Sequence, residues 1–350
     1  MQLKKFRNVL LDTILTFLWK EWTTLGIPGG LRTEEKWILD PESLLAFSLP
    51  LARYEPRLFD EIINWLLTNG HWLDAARLRN ILRKREAELI RVVGATIYSC
   101  AQNGDERKWK GLADFCWGVF KQQPKANSFS PLFMEKSGNP HPLASPKKAD
   151  PYFMHFGFNR PQPKNLKNGN DVPSNSETNI RFLLRALYGV GGRSEFILYL
   201  LTHEGGRVRD IADEVGLFWL GVQQTLKDLA ASGLIHTRKK GNKIEYWLSQ
   251  KKWWEFLTPS ISENQHNPKP QWVNWVSILS AVLTTWETID QLSQKQSSDY
   301  IISSKQQDCL ELISKNFMRA GLDVSPHTKN LSSIDQQQKT ILEYLEKIST

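Results

Sequence analysis

Four cations lie within one short stretch, Arg238, Lys239, Lys240 and Lys243, on either side of Gly241-Asn242. The residues around them alternate in polarity, with Ile244, Tyr246 and Leu248 set to point inward, so the segment reads as a β-hairpin with a cationic tip. Ammonium and guanidinium groups on such a tip suit the phosphate oxygens of a nucleic-acid backbone. Immediately upstream, Val222, Leu226 and Leu229 recur at helical spacing, and the opposite face of that helix carries Gln223, Gln224 and Lys227. Glutamine amides can bond base edges, and the lysine suits phosphate. The same helix opens on Phe218, Trp219, Leu220 and Gly221, where Trp219 and Leu220 could pack on thymine methyl groups or dock on a protein surface. The expected base contacts are therefore Trp219, Leu220, Gln223 and Gln224, and the expected phosphate contacts are Lys227, Arg238, Lys239, Lys240 and Lys243.

Enzymatic chemistry finds less support. The sequence contains no nucleophile elbow, phosphate-binding P-loop, HExxH pair or dinucleotide-binding glycine pattern. Gly189-Val190-Gly191-Gly192 lacks a preceding strand and a following Lys-Ser/Thr, and reads as a turn between helices. The carboxylates are scattered over helical segments without a defensible pair, which leaves a helical nuclease with dispersed acids as the enzymatic alternative. Cys100, Cys116 and Cys309 form no CxxC pair and lie outside 177–257, while His203 and His236 stand alone. We expect no enzyme activity, cofactor or metal.

The elements that must position the candidate side chains span 194–249. Ile197, Leu200 and Leu201 mark a first apolar helix, closed by Gly205-Gly206. Val208, Ile211, Ala212 and Val215 mark a second, with Gly216 at the turn, where a left-handed backbone suits glycine. The helix of Val222, Leu226 and Leu229 follows and ends at Ser232-Gly233, so that two short helices and a hairpin stand in series. The elements IADEVG, VQQTLKDLAASGLI and RKKGNKIEYWL resemble those of winged helix-turn-helix regulators of the MarR and ArsR type. That resemblance implies binding of double-stranded DNA through the second helix, usually as a homodimer, and a role as a transcriptional regulator. The chain departs from the pattern where the recognition helix usually opens on a Ser or Thr cap, because Phe218 cannot cap. The alternative is an antitoxin or protein–protein adaptor in which Phe218-Trp219-Leu220 docks a protein partner.

The expected fold is mainly α and multidomain. A helical domain covers 1–121, and a Pro/Asn/Lys-rich linker covers 122–176 and holds nine of the 17 prolines. The winged helix-turn-helix covers 177–257, and helices that could support dimerisation cover 258–350. Tyr152, Phe153, Met154, Phe156 and Phe158 within the linker should pack on a neighbouring domain. Trp272, Trp275, Val276, Leu279, Leu283 and Trp286 form an amphipathic stripe, either core or dimer seam. Arg77, Arg79, Arg83, Lys84, Arg85 and Arg91 read as a solvated face paired with Glu86 and Glu88, or as a second phosphate-contacting surface. A further alternative makes 58–82 a second helix-turn-helix. WKEWTTLGIPG, AARLRNIL and LRALYGVGGRSE make the whole chain similar to poorly characterised bacterial winged-helix proteins of toxin–antitoxin and defence loci.

The net charge of +8 favours a polyanionic partner. Cations exceed acids by 8 to 3 over 121–176 and by 12 to 9 over 177–257, whereas 258–350 has 8 cations against 10 acids. The basic, apolar N-terminus is interrupted by Asp12, Lys20 and Glu21, which argues against a signal peptide, and no apolar run is long enough to span a membrane. With few cysteines, a cytoplasmic location is expected.

Overall fold

The computed structural model describes residues 2–30, 36–123, 129–144, 148–163, 166, 169–173, 176–257, 269–322, 324 and 333–349. The chain is mainly helical. Helices α1 (Leu3–Thr24), α2 (Pro41–Ala52), α3 (Pro56–Asn69), α4 (Ala75–Leu82), α5 (Ala87–Asn103) and α6 (Glu106–Lys121) open it. Local chemistry sets their starts. Asp40 accepts from the Ser43 N–H, and Asp74 accepts from the N–H groups of Ala76 and Arg77, so each supplies an acceptor to an otherwise orphaned helix N-terminus. Pro41 and Pro56 occupy first-turn positions, where a missing N–H costs nothing.

The segment expected to be a linker contains structure of its own. Two-residue strands β1 (Ser130–Pro131) and β2 (Phe158–Asn159) pair in parallel around the short helix α7 (Pro151–His155). Phe153, Phe156 and Phe158 are fully buried, with Phe153 edge-on to Phe59 and Phe156 against Phe120. The expected packing of this aromatic cluster is present; Met154 is its exposed exception.

Helices α8 (Ile180–Tyr188), α9 (Gly192–Thr202), α10 (Val208–Val215) and α11 (Trp219–Ala231) follow, then strands β3 (His236–Lys240) and β4 (Lys243–Trp247) and helix α12 (Gln250–Leu257). They share an apolar core that includes Ile197, Leu200, Ile211, Val222, Leu226, Tyr246 and Leu248. Helices α13 (Trp275–Gln294), α14 (Asp299–Arg319) and α15 (Ile334–Ser349) close the chain and return to the first helices. Their apolar faces lie in the same core as α1–α6. Arg7 on α1 bonds Asp290 on α13 at 2.6 Å while stacking on Trp286, which fixes the two helices together. Trp275, Leu279, Leu283 and Trp286 are buried within one chain, as the core reading of the stripe requires. Trp272 departs from that stripe. It precedes α13 and packs edge-on to Tyr199 in the other core. No helix among the described residues is long and apolar enough to cross a membrane.

Candidate nucleic-acid interface

Helices α9, α10 and α11 pack on one another, with Ile211, Ala212 and Val215 of α10 and Val222, Leu226 and Leu229 of α11 facing inward. Gly216 joins α10 to α11 in a left-handed conformation, φ 72° and ψ 32°, and its N–H closes α10 on the Ala212 carbonyl. Two residues in extended pairing tie the hairpin to this unit. Gly206 and Tyr246 exchange both backbone hydrogen bonds at 2.9 Å, so β4 is held by the α9–α10 connection as well as by β3. The approach is close enough that a Cβ at Gly205 would lie 2.9 Å from the Tyr246 carbonyl oxygen.

The inward side of α11 leaves its other side to solvent. Phe218, Trp219 and Leu220 are 65%, 41% and 53% exposed, which is unusual for three consecutive large apolar residues. Phe218 occupies the N-cap position, and no side chain caps the helix. Lys227 and Gln224 are exposed and Gln223 is half-buried. The Gln224 amide already donates to Asp228 at 2.8 Å, so its donor is engaged within the helix.

Residues Gly241 and Asn242 form the two-residue hairpin loop, Gly241 with φ 63°, and Lys240 lies directly opposite Lys243. Two like charges in register repel. One carboxylate relieves part of this charge. Glu245 accepts from Arg238 at 3.1 Å and lies 3.5 Å from Lys240 and 4.0 Å from Arg207. Partial burial works to raise the Glu245 pKa, but the Arg238 hydrogen bond and the nearby cations outweigh it and hold the carboxyl below its ordinary value. Of the five cations expected at phosphates, Arg238 and Lys240 are thus partly neutralised. Lys227, Lys239 and Lys243 are exposed and form no ion pair with a described residue. One expectation of the hairpin pattern fails. Ile244 is 53% exposed although it shares a face of β4 with buried Tyr246, because it lies next to the hairpin tip, where the strand has run past the core.

The histidines have structural surroundings. His203 bonds the Tyr199 carbonyl and stacks on its ring at 3.9 Å, burial lowering its pKa, whereas His236 packs at a tilt against Trp247. Burial pushes the thiols of Cys100 and Cys116 up to about 12 and that of Cys309 to about 11. Among the described residues, no group of three or more His, Cys, Asp or Glu is arranged to hold a metal ion.

The basic run of α4 and α5 matches neither reading in full. Arg77 is buried, Arg79 lies over Phe115, Arg85 bonds Ser280 and stacks on Phe47, and Arg91 bonds the Phe156 and Gly157 carbonyls. Within the run, Arg83 and Lys84 are the exposed residues without an ion pair or ring contact to a described residue. Burial of Arg77, the arginine at the start of α4, also argues against 58–82 as a second reading unit.

Arg77 belongs to a feature that sequence reasoning missed. Asp40, Glu42 and Glu195 face Arg77, Arg181 and Arg185, and all six are buried. Arg77 donates to Asp40 at 2.6 Å and to Glu42 at 2.7 Å, and Arg185 donates to Glu42 at 2.8 Å and to Glu195 at 2.6 Å. Arg181 lies 2.9 Å from Asp40. Arg77 Nε also donates to the Val215 carbonyl at 2.6 Å, at the C-terminus of α10. Burial works against the charge on Asp40 and Glu195, but the arginines prevail and hold both carboxyls below their ordinary values. The cluster therefore joins α2 and α4 to α8, α9 and α10. The spacing of Arg181 and Arg185, one turn apart on an otherwise apolar helix, was the available signal. Comparison of the chain with protein-family models, with characterised proteins and with solved structures returns no match.

Proposed function

We propose that residues 177–257 form a winged helix-turn-helix and that the protein is a sequence-specific duplex-DNA-binding protein acting in transcriptional regulation. The observation that carries this reading is the pairing of an exposed helix face with a cationic hairpin on one small core. α11 presents Trp219, Leu220, Gln224 and Lys227 to solvent, and the β3–β4 tip presents Lys239 and Lys243 without acidic partners among the described residues. Lys240 and Lys243 are opposed across the tip, so a phosphate between them would relieve repulsion already present in the free protein. The readout would be weighted towards apolar contact, since Gln224 is bonded within its own helix and Trp219 and Leu220 are free. An operator rich in thymine methyl groups fits that surface. The dimer that such regulators commonly form would give a two-fold operator.

The test is titration of the purified protein with the DNA upstream of its own gene at several salt concentrations. The double variant Lys239→Ala/Lys243→Ala should bind more weakly and reduce the slope of log K against log salt by about 1.8, two phosphate contacts at about 0.9 each. An unchanged slope removes the hairpin from the interface. The exposed Phe218-Trp219-Leu220 triplet favours one second reading, docking on a protein as an antitoxin or adaptor. Co-purification of a neighbouring gene product, lost on Trp219→Ala while DNA affinity is unchanged, would select it.

A further inference from the structure

A cleft of about 300 Å³ lies between the end of α4 and the α10–α11 turn, with the start of α13 at its base. One wall carries Arg83 and Lys84, and the other carries Gly216, Leu217 and Phe218, the residues that lead into α11. Arg83 and Lys84 are exposed, and neither makes an ion pair with a described residue, whereas Arg85 beside them is committed to Ser280 and Phe47. Asp213 is the carboxylate among the cleft's lining residues, so the cations stay in excess.

The two walls are fixed relative to each other. Arg77, on the same short helix that ends beside Arg83, donates to the Val215 carbonyl at 2.6 Å, one residue before the Gly216 turn. Arg77 is also held by Asp40 and Glu42, so α4 and the end of α10 share one buried hydrogen-bond network. Cations carried by a backbone already in place next to a reading helix spare the cost of ordering a loop on meeting a nucleic-acid backbone, and such contacts set register.

We propose that Arg83 and Lys84 form a second phosphate-contacting site, so that the N-terminal helices grip the DNA backbone on the far side of the cleft from α11. The site rests on the assignment of α11 as the reading helix. It would extend the footprint beyond the length that one winged helix covers, and it gives the N-terminal helices a direct part in DNA binding.

The experiment measures affinity of the full-length protein for a short mixed-sequence DNA duplex across roughly 50–200 mM salt. It compares the unaltered protein, Arg83→Ala/Lys84→Ala, Lys239→Ala/Lys243→Ala, and, as a control, Lys339→Ala at an exposed position of α15. Both double variants should keep the melting temperature of the parent, since all four side chains are exposed. The expected result is a slope reduced by about 1.8 in each double variant and unchanged in the control. A normal slope for Arg83→Ala/Lys84→Ala, with a reduced slope for the hairpin variant, overturns this site and leaves the proposed function standing. Absence of duplex binding by the unaltered protein overturns both.

Discussion

Replacing Arg77 with Ala should destabilise the protein more than removing any exposed cation. The guanidinium is fully buried and donates to Asp40, Glu42 and the Val215 carbonyl, at 2.6, 2.7 and 2.6 Å. Its removal leaves three buried acids facing two arginines and orphans a helix-terminal carbonyl. Breaking one partner out of a buried ion network costs roughly 3–5 kcal/mol. Asp40 keeps Arg181 and Glu42 keeps Arg185, so the lower half of that range applies. A loss of about 3 kcal/mol is a large fraction of the 5–15 kcal/mol typical of a folded domain. Arg77→Lys restores the charge but cannot span both carboxylates and the carbonyl, and should recover about half. The assay is urea unfolding followed by circular dichroism, with Arg238→Ala on the hairpin as the exposed comparison, expected to cost at most about 1 kcal/mol. A loss below about 1 kcal/mol for Arg77→Ala would refute the view that this cluster welds α4 to α10.

Four further outcomes can be measured. Glu21 is buried, and burial, partly offset by Lys20, raises its pKa to about 8. A raised carboxyl keeps its proton in the folded state, so stability should fall as pH rises from about 5 to about 8, by at most about 5 kcal/mol; Glu21→Gln should flatten that slope in pH-dependent urea melts. Asp40 and Glu195 act with the opposite sign, their lowered pKa values giving stability that is present above about pH 4 and lost below it, so acid unfolding should shift to higher pH when Arg181→Met removes a partner. The three thiols, buried and raised to about 11–12, should resist alkylation at pH 8 in the native protein and react in urea, as mass spectrometry would show. Gly216→Ala should cost about 1–2 kcal/mol through its left-handed backbone, a calorimetric loss without a steric clash, since the nearest atom to the added Cβ is Arg77 Nε at 3.9 Å.

Features that depend on near neighbours in sequence could be read before the fold was known. The periodic faces of α1, α3 and α11, the Asp40 cap with Pro41, and the Gly241-Asn242 turn are each decided within a few residues. Trp219, Gln224, Lys227, Lys239 and Lys243 are exposed for the same reason, their inward neighbours being legible by spacing. What escaped depends on distant partners. Glu42 meets Arg185, 143 residues away, and nothing near either residue names the other. Arg91 looks like a solvated cation in sequence but reaches carbonyls 65 and 66 residues on. Ile244 looks inward by alternation, yet the tip of the hairpin extends past the core that would have buried it. The proline-rich stretch reads as a linker by composition, which averages over residues with opposite fates, whereas its clustered phenylalanines, now buried, were legible as individual residues.

The most direct measurement of the central claim is hydrogen exchange of the full-length protein with and without a DNA duplex from the region upstream of its gene. Binding through the exposed face should slow exchange in α11 and the β3–β4 hairpin, with little change in α14 and α15. Protection confined to other helices, or no protection at all at saturating DNA, would contradict the assignment of α11 and the hairpin as the DNA-binding surface.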